Sequence, residues 1–124
     1  MRQTERKRYV VSLFSGVLLA ALFVWGTVAQ AHPPKDIAVA YDAGTATLTV
    51  TIEHSVKDEE KHYIDEIRIL KGGTELAQAK PSRQTDKDQE IFTVNLPGLK
   101  SGDVLTVEAK CNIFGTLRKD VPIP

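Results

Sequence analysis

The sequence predicts an all-β protein, an immunoglobulin-like β-sandwich of about seven short strands. Two observations lead to this prediction. In residues 32–124, apolar and polar side chains alternate with a period of two, as they do in strands that have one buried face. Glycine and proline interrupt the alternation at short intervals, and no long stretch has the 3.6-residue period of a helix. A small Greek-key barrel would give the same pattern and stays open as an alternative.

The strands can be placed one by one from this alternation. The clearest covers residues 45–54, in which Ala46, Leu48, Val50 and Ile52 point to one side and the threonines to the other. A glycine pair, Gly72-Gly73, predicts a tight hairpin between the third and fourth strands. The predicted strands are 36–42, 45–54, 62–71, 74–80, 90–96, 104–111 and 116–121.

The first 31 residues have the composition of a secretory signal peptide. A basic segment, residues 1–8, precedes an uncharged apolar run, residues 9–28, and Ala29-Gln30-Ala31 matches the small-x-small cleavage pattern. We therefore expect cleavage after Ala31, which leaves residues 32–124 as an exported, periplasmic domain with His32 at its N-terminus. The alternative is an uncleaved anchor, since an apolar run of roughly 20 residues can span a bilayer.

Charge and cysteine content limit the functions that the domain can have. Acidic side chains slightly outnumber basic ones in residues 32–124, so the domain has no basic footprint for nucleic acid. The single cysteine, Cys111, cannot form a disulfide within the chain. In an oxidising compartment we expect this thiol to be buried and inert, joined to a partner, or held as a metal thiolate.

Side-chain parity brings three chemically useful residues to strand ends. His54 continues the inward set of the second strand, and Cys111 continues the inward set Leu105, Val107 and Ala109. His62 begins the third strand. Two imidazoles and a thiolate meeting at one end of the sandwich would suit iron, copper or zinc. From spacing alone, a buried thiol with two unrelated histidines explains these residues equally well.

Two motifs together extend the argument. The His62-Tyr63-Ile64 strand start and the later Cys111-Asn112-Ile113-Phe114-Gly115 segment make the chain resemble the superoxide reductase (desulfoferrodoxin, neelaredoxin) family. Members of that family carry a His-Tyr-Ile strand start and a late Cys-Asn-x-His-Gly motif. The likeness runs over residues 32–119 and implies an immunoglobulin-like domain that holds one non-haem iron.

The resemblance also implies a ligand set and a reaction. The family binds iron through four histidines and an axial cysteine, and it reduces superoxide to hydrogen peroxide with an electron from an external donor protein. Cys111 matches the cysteine, while His62, His54 and His32 match three of the histidines. Phe114 stands where the family has its fourth histidine.

A catalytic lysine of the family has no counterpart either, because Gln30 and Ala31 occupy the matching positions. Lys35 and Lys61 are the lysines that could substitute for it.

Two other functions stay open at this stage. An N-terminal His32, with its α-amine and a second histidine, would suit a periplasmic copper carrier. Alternatively, the sandwich could be a metal-free binding module in which Phe114 fills the space of the metal. The sequence leaves a homo-oligomer open, and it predicts membrane contact only if the signal segment stays uncleaved.

Overall fold

A computed structural model describes residues 32–124, so the predicted signal peptide lies outside the described residues. The described part of the chain contains seven strands in two antiparallel sheets and no helix, which confirms the all-β, immunoglobulin-like sandwich. The strands are β1 (Asp36–Asp42), β2 (Thr47–Glu53), β3 (Ile64–Lys71), β4 (Thr74–Ala79), β5 (Gln89–Asn95), β6 (Val104–Cys111) and β7 (Thr116–Pro122).

The two sheets are joined by crossover connections. One sheet has the order β1-β2-β5 and the other the order β4-β3-β6-β7. Neighbours in sequence form the hairpins β1–β2, β3–β4 and β6–β7, whereas β2 pairs with β5 and β3 with β6 across the fold. A sandwich of one three-stranded and one four-stranded antiparallel sheet is typical of immunoglobulin-like domains.

The core lies between the sheets, because the inward-facing side chains of both are apolar. Leu48, Val50 and Ile52 of β2 are fully buried and belong to this core. The remaining members of the core are Ile37, Ile64, Ile67, Ile69, Leu105, Val107, Ala109, Val121 and Ile123. Alternate burial along β2 and β6 is the pattern that the sequence predicted.

The structure corrects some strand boundaries. β2 begins at Thr47, and Ala46 lies in the preceding turn with a φ of 55°, so Ala46 is not a member of the inward set. β3 begins at Ile64, which places His62 in the loop before the strand. A β-bulge between Ile64 and Glu66 lets Ile64 and Ile67 both face the core, although simple alternation would turn one of them outward.

Antiparallel pairing gathers several strand ends at one end of the sandwich. The end of β2 lies beside the beginnings of β1 and β5, since Glu53 pairs with Asp36 and with Gln89. The end of β6 lies beside the beginning of β3, since Cys111 pairs with Ile64. The four residues that the sequence proposed as metal ligands, His32, His54, His62 and Cys111, therefore all belong to this end, and for that reason we call it the metal end. Among residues 32–124, no helix is long and apolar enough to cross a bilayer.

Candidate metal centre

Three imidazole rings meet at the metal end. His32, His54 and His62 each offer a ring nitrogen, and these nitrogens lie within 4.8 Å of one another. The rings contact edge to face, with centroids 4.7 Å apart for His54 and His62. Nitrogens that share one ion at about 2.0–2.1 Å lie at most about 4.2 Å apart, so the side chains would have to move slightly closer together to bind one ion. We call these three residues the histidine cluster.

The thiol of Cys111 adjoins the histidine cluster. Its Sγ atom lies 3.1 Å from Nε2 of His62, and the residue is 2 % exposed and forms no disulfide. The pairing of Ile64 with Cys111 causes this contact, because it sets the loop before β3 against the end of β6. The structure thus brings together all four side chains that the sequence proposed as ligands.

Asn112 fastens the loop that carries His62. Its Oδ1 accepts a hydrogen bond from the Tyr63 backbone N–H at 2.9 Å, and its Nδ2 donates to the Lys61 carbonyl at 3.0 Å. The Asn112 backbone N–H also donates to the Tyr63 carbonyl. Asn112 therefore satisfies backbone groups on both sides of His62.

His54 is fully buried, and Gln84 contacts one nitrogen of its ring. Nδ1 of His54 lies 2.7 Å from Oε1 of Gln84, which is itself fully buried in the loop between β4 and β5. Sequence reasoning missed Gln84, because residues 81–88 form a polar loop with no periodic pattern. A glutamine in such a loop gives no signal that separates it from its exposed neighbours.

His32 is the most exposed member of the histidine cluster. Its Nε2 lies 2.9 Å from the Ser55 carbonyl and its Nδ1 lies 3.1 Å from the Pro33 carbonyl. A neutral imidazole can donate to only one of these oxygens, so the second nitrogen has a free lone pair. The segment is positioned by packing, since Pro33 lies directly against Gly115 in the β6–β7 turn.

The surroundings of His62 favour its neutral form. Burial, followed by the proximity of His54 and His32, lowers the pKa of His62 below its ordinary value of 6.5. A neutral imidazole keeps the lone pair that a metal needs, so the ring can ligate at neutral pH.

Phe114 does not fill the metal end. Its side chain is 64 % exposed, and its neighbour Ile113 is 50 % exposed, so the phenyl ring does not occupy the space of a metal, contrary to what the alternative of a metal-free binding module supposed. The reason lies in the turn itself. Gly115, at a φ of +94°, packs on Pro33, while the two preceding side chains point outward. Phe114 offers no donor atom to the site.

The two lysines differ in their surroundings. The Nζ atom of Lys35 lies 3.5 Å from Oε1 of Glu53, and both side chains are exposed. Lys61 is exposed and directly precedes His62. Their catalytic role stays a prediction.

The fold is similar to that of a known metalloprotein. A superoxide reductase (1Fe-SOR) from Giardia intestinalis has a solved structure that matches with a TM-score of 0.52 and 18 % sequence identity. The match covers 77 % of this chain and 100 % of that chain. This similarity supports a distant relationship in fold. Neither the protein-family models nor the curated proteins contain a match.

Proposed function

We propose that this chain is an exported, mononuclear non-haem iron protein that reduces superoxide to hydrogen peroxide. The main observation that supports this proposal is the position of the Cys111 thiol, which lies 3.1 Å from His62 Nε2 and beside the histidine cluster. This donor set lies on a fold similar to that of a superoxide reductase. Cys111, His62 and His54 are the proposed ligands, with His32 as the fourth.

The chemistry of these donors fits the proposed metal. Imidazole nitrogens and a thiolate bind iron, and they also bind copper and zinc. Four protein donors leave two coordination positions free on an ion that prefers six. One of the two is free because Phe114, which stands at the position of the family's fourth histidine, offers no donor atom. Iron bound here would supply the single electron that superoxide accepts.

The reaction needs two further components. Each superoxide takes up one electron and two protons to become hydrogen peroxide, and an external donor protein must restore the electron. We propose Lys61 as the proton-delivering side chain, because it adjoins His62, whereas the Lys35 ammonium already pairs with Glu53. Superoxide crosses membranes poorly, so an exported enzyme would meet its own pool of substrate.

Metal analysis with optical spectroscopy tests the proposal. The full chain is expressed, purified without oxygen, loaded with iron(II) and then oxidised. We expect about one iron per chain and a thiolate-to-iron(III) absorption band that Cys111→Ser abolishes. The matched control is Ile113→Ser in the same turn, which removes an exposed side chain with no donor atom and should keep the band.

Each outcome has a defined meaning. A band that depends on Cys111, together with one hydrogen peroxide formed per superoxide and no dioxygen, would support the reductase. Copper retained in preference to iron would instead favour the copper carrier, which His32 in the cluster makes chemically reasonable. A protein that retains no metal would support a binding module. Recovery from the periplasm with His32 as the first residue would test export.

A further inference from the structure

Gln84 occupies an unusual environment for a loop glutamine. Its side chain is fully buried, and every polar atom of its amide has a partner. Nε2 donates to the His54 carbonyl at 2.7 Å and to the Asp86 carbonyl at 2.9 Å, while Oε1 faces His54 Nδ1. Buried side-chain amides with complete hydrogen bonding are held in one orientation.

The two carbonyls determine which way the amide points. A backbone carbonyl can only accept a hydrogen bond, so the atom that faces both carbonyls must be the NH₂ group. The atom that faces His54 is then the amide oxygen, which carries no hydrogen. The hydrogen of this 2.7 Å contact therefore belongs to Nδ1 of His54.

We propose that Gln84 is a positioning residue that fixes His54 as its Nδ1–H tautomer and presents the Nε2 lone pair to the histidine cluster. The hydrogen bond on one ring nitrogen decides which nitrogen of a neutral imidazole is free. Nε2 of His54 faces the cluster, and its contact there is the His32 carbonyl at 3.3 Å, which cannot donate to a lone pair. A metal ion would give this nitrogen the partner that it lacks.

The loop of Gln84 is held rigidly enough for this role. The Gln84 backbone N–H donates to the Glu59 carbonyl at 2.9 Å, and the neighbouring Arg83 pairs with Glu60 at 3.0 Å. On the other side, the His54 N–H donates to the Asp88 carbonyl at 3.0 Å. The β4–β5 loop and the β2–β3 loop therefore form one hydrogen-bonded layer behind the histidine cluster.

The tautomer can be measured without metal. In the ¹⁵N-labelled, metal-free protein, we expect the His54 ring to show a protonated Nδ1 and an unprotonated Nε2. Gln84→Leu, which keeps the size and removes both polar groups, should shift His54 towards the Nε2–H form. Gln84→Glu keeps an acceptor for Nδ1–H and loses the two donations to carbonyls, so it should keep the tautomer while lowering stability.

Metal affinity supplies the second readout, and here the inference rests on the proposed function. Loss of a group that orients a ligating histidine typically lowers metal affinity about 10–100-fold. We expect a loss of this size in Gln84→Leu and a smaller one in Gln84→Glu. Gln78→Leu, at an exposed glutamine of β4, is the matched control and should change neither readout.

The outcomes separate this inference from the proposed function. A protonated Nε2 in unmodified His54 would overturn the inference without any variant, so the test does not depend on the folding of Gln84→Leu. An unchanged tautomer in a folded Gln84→Leu protein would overturn it as well. The Nδ1–H form in a protein that binds no metal would support the role of Gln84 while contradicting the proposed function.

Discussion

At the scale of single residues, two polar side chains are buried and differ in whether all their polar atoms have hydrogen-bond partners. Gln84 has a partner for each of its amide atoms, whereas Glu90 of β5 is 5 % exposed and its Oε2 has no hydrogen-bond partner among residues 32–124. Its Oε1 accepts from the Thr85 hydroxyl and from the Ile91 N–H. These bonds favour the carboxylate, but burial outweighs them and raises the pKa of Glu90 above 4.5.

The raised pKa of Glu90 predicts a pH-dependent stability. Between pH 4.5 and the higher pKa of the folded protein, folding takes up a proton, so the free energy of unfolding falls as the pH rises through this window. Glu90→Gln should remove this part of the slope. Urea unfolding of the metal-free protein, from about pH 4 to pH 8, measures the effect. Parallel curves for Glu90→Gln and the unmodified protein would contradict the prediction, and Glu53→Gln, at an exposed strand end, is the control.

At the scale of elements, the geometry of the metal end depends on hydrogen bonds that join loops to strand ends. The β2–β3 loop carries His62, and Asn112 at the end of β6 ties it through hydrogen bonds to Tyr63 and Lys61. The two anchor points belong to neighbouring strands of one sheet, since β3 begins directly after the loop and pairs with β6. The hydrogen bonds of Asn112 therefore help to determine the distance between His62 and Cys111.

Removal of the Asn112 side chain should weaken the attachment of the His62 loop to the end of β6. Asn112→Ala eliminates two hydrogen bonds, each worth about 0.5–1.5 kcal/mol, so we expect the protein to lose about 1–3 kcal/mol of stability. Metal affinity should fall as well, because His62 is no longer held beside Cys111. Urea unfolding and metal titration measure the two effects. Asn95→Ala, which removes a single exposed bond to Thr45, should cost less and leave metal affinity unchanged; equal losses of affinity in both variants would contradict this account.

At the scale of the whole molecule, the metal end joins the beginning of the described chain to its last hairpin. A Cβ atom on Gly115 would lie 2.6 Å from Cβ of Pro33, which is closer than packed atoms come. The β6–β7 turn and the segment of His32 therefore fit together only because residue 115 is glycine. Gly102, with a φ of +88°, lies in open space at the other end of β6.

These two glycines give a matched test of that contact. Gly115→Ala and Gly102→Ala share the cost of a positive φ, about 1–3 kcal/mol. Only Gly115→Ala should displace Pro33 and with it His32, so the His32 ring resonances and the metal affinity should change in that variant alone. NMR spectra and metal titration of the two proteins make the comparison. Identical effects of both substitutions would show that the Pro33 contact does not position His32.

The sequence predicted most of the fold because the strands and turns depend mainly on local features, namely the alternation of apolar and polar residues and the positions of turn residues. Alternating burial and turn residues located all seven strands, and β1 and β6 have the predicted limits. The bulge after Ile64 and the turn position of Ala46 escaped prediction, since both depend on pairing with another strand. Side-chain parity predicted that His54 and Cys111 lie on the buried side of strand ends. The contacts of Gln84 with His54 and of Asn112 with the loop of His62 could not be predicted, because they depend on how the loops fold.

The order of the proposed ligands along the chain has a consequence for folding. The donors come from positions 32, 54, 62 and 111, so they are adjacent only after β3 has paired with β6 and the β6–β7 turn has received Pro33. Contacts between such distant residues form late, because the entropy of closing the intervening chain is lost first. An ion at this site would stabilise a finished sandwich without guiding the chain towards it. Metal loading would therefore mark a molecule that has already folded.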